Sequence, residues 1–335
     1  MIDYQQVLDA AKRIKGHANK TPVIQSEWLN NTLNAEVFFK CENVQKVGAF
    51  KYRGACNSIS QLTEQQKRNG IIAYSSGNHA QAVALVAKEQ GITATIVMPH
   101  NAPKIKINST KEYGAKVVLF DPQETTREKI ASKLNSDNKL TLIKPFDDER
   151  VIAGQGTAAL ELIEEINELD YILVPCGGGG LLSGTALIAK HLNSKIKVIG
   201  VEPALADDAA RSFYTGQLHS NPNPPTIADG TRTTSIGDIT FPVIKKYVDE
   251  IVTVSEESIK KSVVFAFNHL KQVIEPSAAL PIAALMNDIA TVNVKDESNI
   301  GATEFNPQGR IGVILSGGNI DASVMKDLLD FGEKN

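Results

Sequence analysis

The sequence is short of several things, and each shortage removes a class of protein. It has three cysteines, Cys41, Cys56 and Cys176, an odd number without Cys-x-x-Cys spacing. That excludes a disulfide scaffold and fits reduced thiols in a cytoplasmic protein. The six histidines show no paired ligand spacing, so a zinc site is not expected. No uninterrupted apolar run reaches membrane length, and no membrane role is expected. Neither charge sign is in excess: the formal net charge is −3, far from the basic footprint of a nucleic-acid binder. Met1 to Gln6 offer neither a basic n-region nor an apolar h-region, so a signal peptide is not expected. What remains is ordinary globular material. The chain has 335 residues, 42% hydrophobic and 22% charged, long enough for two lobes.

Periodicity predicts an α/β chain. Residues 3–16 place Val7, Leu8, Ala11 and Ile14 on one helical face, and Glu36 to Lys40 reads as a strand. From residue 70 the chain alternates. Strands are predicted at 71–74, 93–98 and 116–120, and helices at 80–90, 103–113 and 125–134, which implies a parallel sheet wrapped by helices. A second run follows: a helix over 153–169, a continuous apolar strand over 171–174, a helix from the glycines to His191 and a strand over 197–201. Residues 217–240 read as a long loop. Helices at 256–271 and 277–287, a strand at 310–315 and a closing helix complete the chain.

Four stretches have chemical character, and a fifth has an open one. In Ala49-Phe50-Lys51-Tyr52-Arg53-Gly54-Ala55 a lysine stands between two aromatic residues at a loop-to-helix junction. Desolvation there would lower its pKa and yield a nucleophilic amine, the property of a Schiff-base lysine; a lysine snorkelling past packed rings is the plainer alternative. The glycines Gly177 to Gly180 lie between a buried strand and a helix, where free N–H groups and the helix dipole suit a phosphate. Neither a P-loop nor a dinucleotide fingerprint is complete at this turn. Ser75-Ser76-Gly77-Asn78-His79 opens another helix, as a carboxylate site or as a simple N-cap. Ser316-Gly317-Gly318-Asn319 ends the last strand, as an ordinary strand-end turn or as a place where a serine hydroxyl can hydrogen-bond a neutral pyridine nitrogen. Glu202 and Asp208, with the Ala206 carbonyl, could hold a hard divalent cation or merely acidify a helix N-terminus.

Together with Lys40-Cys41-Glu42-Asn43 and Ala153-Gly154-Gln155-Gly156-Thr157, these stretches resemble the fold-type II enzymes dependent on pyridoxal 5′-phosphate (PLP). The resemblance is to the serine racemase and serine/threonine dehydratase family, on the side of serine racemase and threo-3-hydroxyaspartate dehydratase, and runs from Thr21 to Asn319. It implies a two-lobed, tryptophan synthase beta-like α/β fold. Residues 1–62 and 149–335 would form the large PLP-binding domain and 63–148 the small substrate-side domain. By the same resemblance, Lys51 would hold PLP as a Schiff base and take the Cα proton, and Phe50 would lie beside the cofactor. Asn78 would bond its 3′-oxygen, Gly177, Gly178, Gly179, Gly180 and Leu181 its phosphate, and Ser316 its ring nitrogen. Ser75, Ser76, Asn78 and His79 would grip the substrate carboxylate, with Ser76 also the acid/base on the opposite face. Arg127 aligns with an arginine near the substrate entrance. Glu202, Ala206 and Asp208 match a Mg²⁺, Ca²⁺ or Mn²⁺ site.

The activity so implied is deamination of a β-hydroxy amino acid (L-serine, L-threonine or threo-3-hydroxyaspartate) to a 2-oxo acid and ammonia, with serine racemisation as a second outcome of the same carbanion. A cytoplasmic homodimer is expected from the resemblance, and nucleotide activation is left open. Two alternatives stand beside it: a β-replacement enzyme of the cysteine-synthase type, and a non-catalytic amino-acid sensor.

Overall fold

The computed structural model describes residues 2–75, 77–102, 104–121, 123–286, 289–290 and 305–333. Among these residues eleven strands form two sheets. They are β1 (Val23–Ile24), β2 (Glu36–Cys41), β3 (Ile71–Tyr74), β4 (Ala94–Pro99), β5 (Lys116–Phe120), β6 (Thr141–Leu142), β7 (Tyr171–Pro175), β8 (Lys197–Pro203), β9 (Glu250–Val254), β10 (Ile289–Ala290) and β11 (Arg310–Leu315). One sheet has the order β1-β2-β11-β7-β8-β9-β10 and the other β5-β4-β3-β6. Every strand of the four-stranded sheet lies between residues 71 and 142, and every strand of the larger sheet lies outside that span.

The apolar runs explain the sheet interiors. Val-Ile-Leu-rich β7 and β11 are buried on both faces along nearly their whole length, the pattern of parallel strands covered by helices on each side. All pairings in the four-stranded sheet are parallel. The larger sheet is parallel through its centre, but both of its edges, β1 against β2 and β10 against β9, are antiparallel. These two-residue edge strands are too short for periodicity to show.

The strands expected at 71–74, 116–120 and 310–315 are found at those bounds. Differences arise where glycine or short elements obscure the pattern. The helix expected over 153–169 spans Glu149–Glu165, capped by Asp148. Its internal Gly154 and Gly156 look like breakers in the sequence, but here they permit close packing. A Cβ on Gly154 would lie 2.6 Å from the Arg53 carbonyl oxygen, and one on Gly156 would lie 2.7 Å from that of Gly184. The helix expected at 125–134 runs Arg127–Asn138. Strand β9 and the helices Asp208–Thr215 and Thr240–Tyr247 are further elements that the pattern does not bring out. The long loop persists as irregular chain from Gln217 to Gly237, apart from one 3₁₀ turn at Asp229–Thr231.

The helix Lys51–Ile59 is fastened to Glu149–Glu165 by a buried ionic cluster. Arg53 is fully buried. It donates from Nε and one terminal nitrogen to the two oxygens of Glu42, both at 2.8 Å, and from both terminal nitrogens to Glu161 at 2.7 and 2.8 Å. Lys40 joins the cluster, donating to Glu161 at 2.6 Å and to the Thr21 carbonyl at 2.7 Å. A guanidinium suits this place because its planar fork meets two carboxylates at once.

Candidate active site

Parallel sheets bind ligands beyond the carboxyl ends of their strands. Strands β2, β11 and β7 are neighbours, and the chain leaving each of them reaches one cavity of about 330 Å³. Its walls include Phe50 and Lys51 from the turn after β2, Ser316 from the end of β11, and Gly177 to Leu181 from the turn after β7. The four-stranded sheet closes the other side with Tyr74, Ser75, Gly77, Asn78 and His79.

Lys51 is the first residue of its helix. The preceding turn is tied to the last strand by the Phe50 N–H donating to the Ser316 carbonyl at 3.0 Å. The ammonium donates to the Pro145 carbonyl at 2.8 Å and lies 5.0 Å from the centre of the Phe50 ring. Burial lowers its pKa to about 8, opposed by the charge of Glu275. Tyr52, the second flanking ring, is engaged elsewhere: its hydroxyl donates to Glu89 and Lys46 lies over its face. The desolvation of Lys51 therefore comes from enclosure and one ring, not from an aromatic sandwich.

The glycine turn is crowded. A Cβ on Gly178 would run into the Phe146 ring, and one on Gly177 would lie 2.9 Å from the Thr231 backbone. Gly179 has φ +85°, a left-handed value that favours glycine. The helix Gly180–Leu192 starts here, so its first N–H groups stand at the cavity. The fit to a phosphate group is good on this ground.

The loop from the other sheet divides the expected roles. Ser75 accepts from the Gly77 N–H at 3.2 Å. Ser76 lies outside the described residues. Asn78 opens the helix Asn78–Glu89 and donates through Nδ2 to Glu275. His79 is 2% exposed; its Nε2 is 3.0 Å from the Ile143 carbonyl, which can only accept, so Nε2 bears the proton. Burial, then the charge of Lys51, pushes its pKa down to about 3. A neutral ring donating to Ile143 offers no cation to a carboxylate. Among the described residues the expected grip falls to backbone N–H groups at this helix start and to the Ser75 hydroxyl.

Arg127 begins the helix Arg127–Asn138, and its side chain lies outside the described residues. Four charged residues given no role from the sequence also reach the cavity: Lys106, Asp229, Arg232 and Glu275. Lys106 pairs with Asp229 from the helix Lys104–Glu112 to the turn Asp229–Thr231. They are 123 residues apart in sequence. The signal for Glu275 is a lone carboxylate directly before Pro276 and the helix Pro276–Leu285, apolar but for Ser277.

The family described as pyridoxal-phosphate dependent enzyme matches residues 14–303. The chain belongs to this PLP-dependent family. It is 45% identical over 318 residues to the L-threo-3-hydroxyaspartate ammonia-lyase of Saccharomyces cerevisiae, covering 95% of this chain and 93% of that protein. It is 46% identical over 318 residues to the serine racemase of Schizosaccharomyces pombe, covering 95% and 94%. Among solved structures, maize serine racemase superposes with a TM-score of 0.88 at 38% identity, covering 99% of this chain and 98% of that one. As a PLP-dependent enzyme the protein has in Lys51 a half-buried lysine of lowered basicity, and in Gly177 to Gly180 a turn whose backbone no side chain of its own shields. Among the described residues no helix is long and apolar enough to cross a membrane.

Away from the cavity, β8 ends beside a buried carboxylate pair. Glu202 and Asp208 are each 1% exposed. Glu202 accepts from the N–H groups of Ala209 and Ala210 at 3.3 and 2.8 Å. Asp208 Oδ2 is buried with no hydrogen-bond partner. Burial, then the charge of Asp208, raises Glu202 well above the usual carboxylate range, and burial pushes Asp208 up to about 7.

Proposed function

We propose that the protein is a PLP-dependent ammonia-lyase acting on β-hydroxy amino acids, L-serine, L-threonine or L-threo-3-hydroxyaspartate, with racemisation of serine as a second outcome. The observation that supports it most is Lys51, a half-buried lysine of lowered basicity in a cavity that also holds the glycine cradle. PLP, when bound, supplies the electron sink that makes a Cα proton removable. Gly177 to Gly180 and Leu181 would receive its phosphate through backbone N–H groups, Phe50 would lie beside it, and Asn78 and Ser316 would hold its 3′-oxygen and its ring nitrogen. Backbone N–H groups at Asn78 and His79, with the Ser75 hydroxyl, would orient the substrate carboxylate, and a role for Arg127 at the substrate entrance is part of the proposal. Lys51 Nζ takes the Cα proton. Loss of the β-hydroxyl with a proton as water, then hydrolysis of the eliminated product by one water, gives a 2-oxo acid and ammonia, whereas return of a proton by Ser76 from the other face gives the enantiomer. Names of relatives, an ammonia-lyase and a racemase, support both outcomes.

The test is product analysis with PLP-loaded protein and each of the three substrates. We expect 2-oxo acid and ammonia in equal amounts from at least one, and D-serine from L-serine. Protein that holds PLP but releases no ammonia from any of them would overturn the lyase reading. Consumption of a sulfide acceptor with O-acetylserine would mark a β-replacement enzyme instead.

We further propose that Glu202, Asp208 and the Ala206 carbonyl hold Mg²⁺, Ca²⁺ or Mn²⁺. Two carboxyl groups buried together, one with an orphaned oxygen, are a site whose repulsion a hard cation relieves. Saturating cation is expected to raise the Tm by about 5 °C or more over protein in EDTA, and Asp208→Asn to remove that difference. An equal Tm in EDTA and in millimolar Mg²⁺, Ca²⁺ and Mn²⁺ would end the metal reading. A cytoplasmic homodimer completes the proposal.

A further inference from the structure

The orientation of the Asn78 amide is decided by a chain of contacts that begins far from it. The Val47 carbonyl can only accept, so the atom of Asn319 facing it at 2.7 Å is Nδ2. The same nitrogen donates to Asn78 Oδ1 at 2.8 Å. That leaves Asn78 Nδ2 toward Glu275, where it donates at 2.8 and 3.1 Å to the two carboxylate oxygens. Each contact fixes the next, and neither amide can turn over without setting two donors or two acceptors against each other.

The backbone has been cleared to admit this arrangement. Gly48 has φ +69°, and a Cβ on it would lie 2.6 Å from Asn319 Oδ1; a Cβ on Gly317 would lie 2.6 Å from Glu275 Oε1. Glu275 is itself anchored, its N–H donating to the Gly317 carbonyl at 3.0 Å. It is 3% exposed. A buried carboxylate is costly unless paired, and the charged groups facing it are Lys51, Lys106 and Asp229. Burial, then Asp229, raises its pKa to about 7, while Asn78 and the two lysines draw it down.

We propose that Glu275 is a positioning residue of this site: with Asn319 it clamps the Asn78 amide so that its remaining Nδ2 hydrogen is offered to the cofactor, and its charge faces Lys51. The inference rests on the PLP reading above. Asn78 contacts the cofactor; Glu275 and Asn319 act through it, and Glu275 also acts through the field at the Lys51 nitrogen.

The experiment compares PLP-loaded wild type, Glu275→Gln and Asn319→Ala by two readouts: the dissociation constant for PLP, and the pH midpoint at which the visible band of the lysine-held cofactor changes form. Glu275→Gln keeps the shape but removes the charge. We expect its PLP affinity to fall about tenfold, one charge-assisted hydrogen bond, and its midpoint to move about one unit lower, since the cationic nitrogen loses a negative neighbour. Asn319→Ala frees the amide but keeps the charge, so affinity should fall about tenfold with the midpoint unmoved. A Glu275→Gln enzyme with lower Tm but wild-type affinity and midpoint would reduce Glu275 to a structural role and overturn the proposal. Should that variant not fold, Asn319→Ala decides: wild-type PLP affinity in it would overturn the clamp. Absence of any visible band in the wild type would instead defeat the PLP reading itself.

Discussion

Lys51→Ala is expected to lower turnover of every accepted substrate by at least about a thousandfold and to abolish the visible band of the covalently held cofactor. The size follows from how unusual this amine is. A lysine with its ordinary pKa of 10.5 is a free amine in only about one molecule in three thousand at neutral pH. With the pKa lowered to about 8 by burial, the fraction rises to about one in ten. The gain of more than two orders of magnitude in reactive amine comes from enclosure, and no neighbour can replace it. Lys106, the other lysine at the cavity, is held in its charged form by Asp229 against the pull of burial. Added primary amines should restore a small part of the activity to Lys51→Ala. Turnover within tenfold of wild type without them would show that the proton is moved elsewhere.

Arg53→Ala is expected to destabilise the fold by about 3–5 kcal/mol. Both oxygens of the buried Glu42 accept from this guanidinium, Thr21 being its further partner at 2.6 Å. Despite burial, which pushes a carboxyl pKa up, Arg53 holds Glu42 below the usual carboxylate range. Without Arg53 an uncompensated charge is left in the interior. Arg53→Lys should rescue little, since a single ammonium cannot serve two carboxylates at four oxygens. Chemical denaturation checks both variants. A loss below about 1 kcal/mol in Arg53→Ala would mean that water reaches the cluster. Because Arg53 stands two residues after Lys51 on the same helix, PLP retention should fall along with stability.

The polar turns are legible in the sequence before the sheet that collects them. Gly177 to Gly180 can be placed between a strand and a helix because the apolar run before them is unbroken and the helix after them is long. The alternation from residue 70 onward is equally plain. What pattern alone does not supply is adjacency between distant segments. Nothing local says that β11 fits between β2 and β7, or that Lys106 pairs with Asp229. The helix starts at Glu149, ahead of the expected 153, and Gly154 and Gly156, which lie inside the expected helix, serve close contact with two other helices. Tyr52 looks like a partner of Lys51 because it is next in sequence, yet successive helical residues point about 100° apart, and Glu89 takes its hydroxyl. The ring of His79 reads as a carboxylate ligand from its place in a motif; its bond to Ile143 depends on a residue 64 positions away. Glu275 escapes notice because a single acid before a proline is an ordinary helix start until Asn78 is brought against it.

The position of β11 also bears on how the protein is made. This strand, the last of the eleven, lies inside the larger sheet, paired to β2 on one side and β7 on the other. A ribosome therefore releases Lys51 and the glycine turn long before anything can join them. Until Leu315 emerges, the nascent chain holds two incomplete half-sheets with open edges, the kind of exposed surface that chaperones bind and that pairs wrongly with other chains. The reactive amine can be enclosed only after β11 has been made, and messages or nonsense alleles cut short before it should yield insoluble protein and not a partly active enzyme.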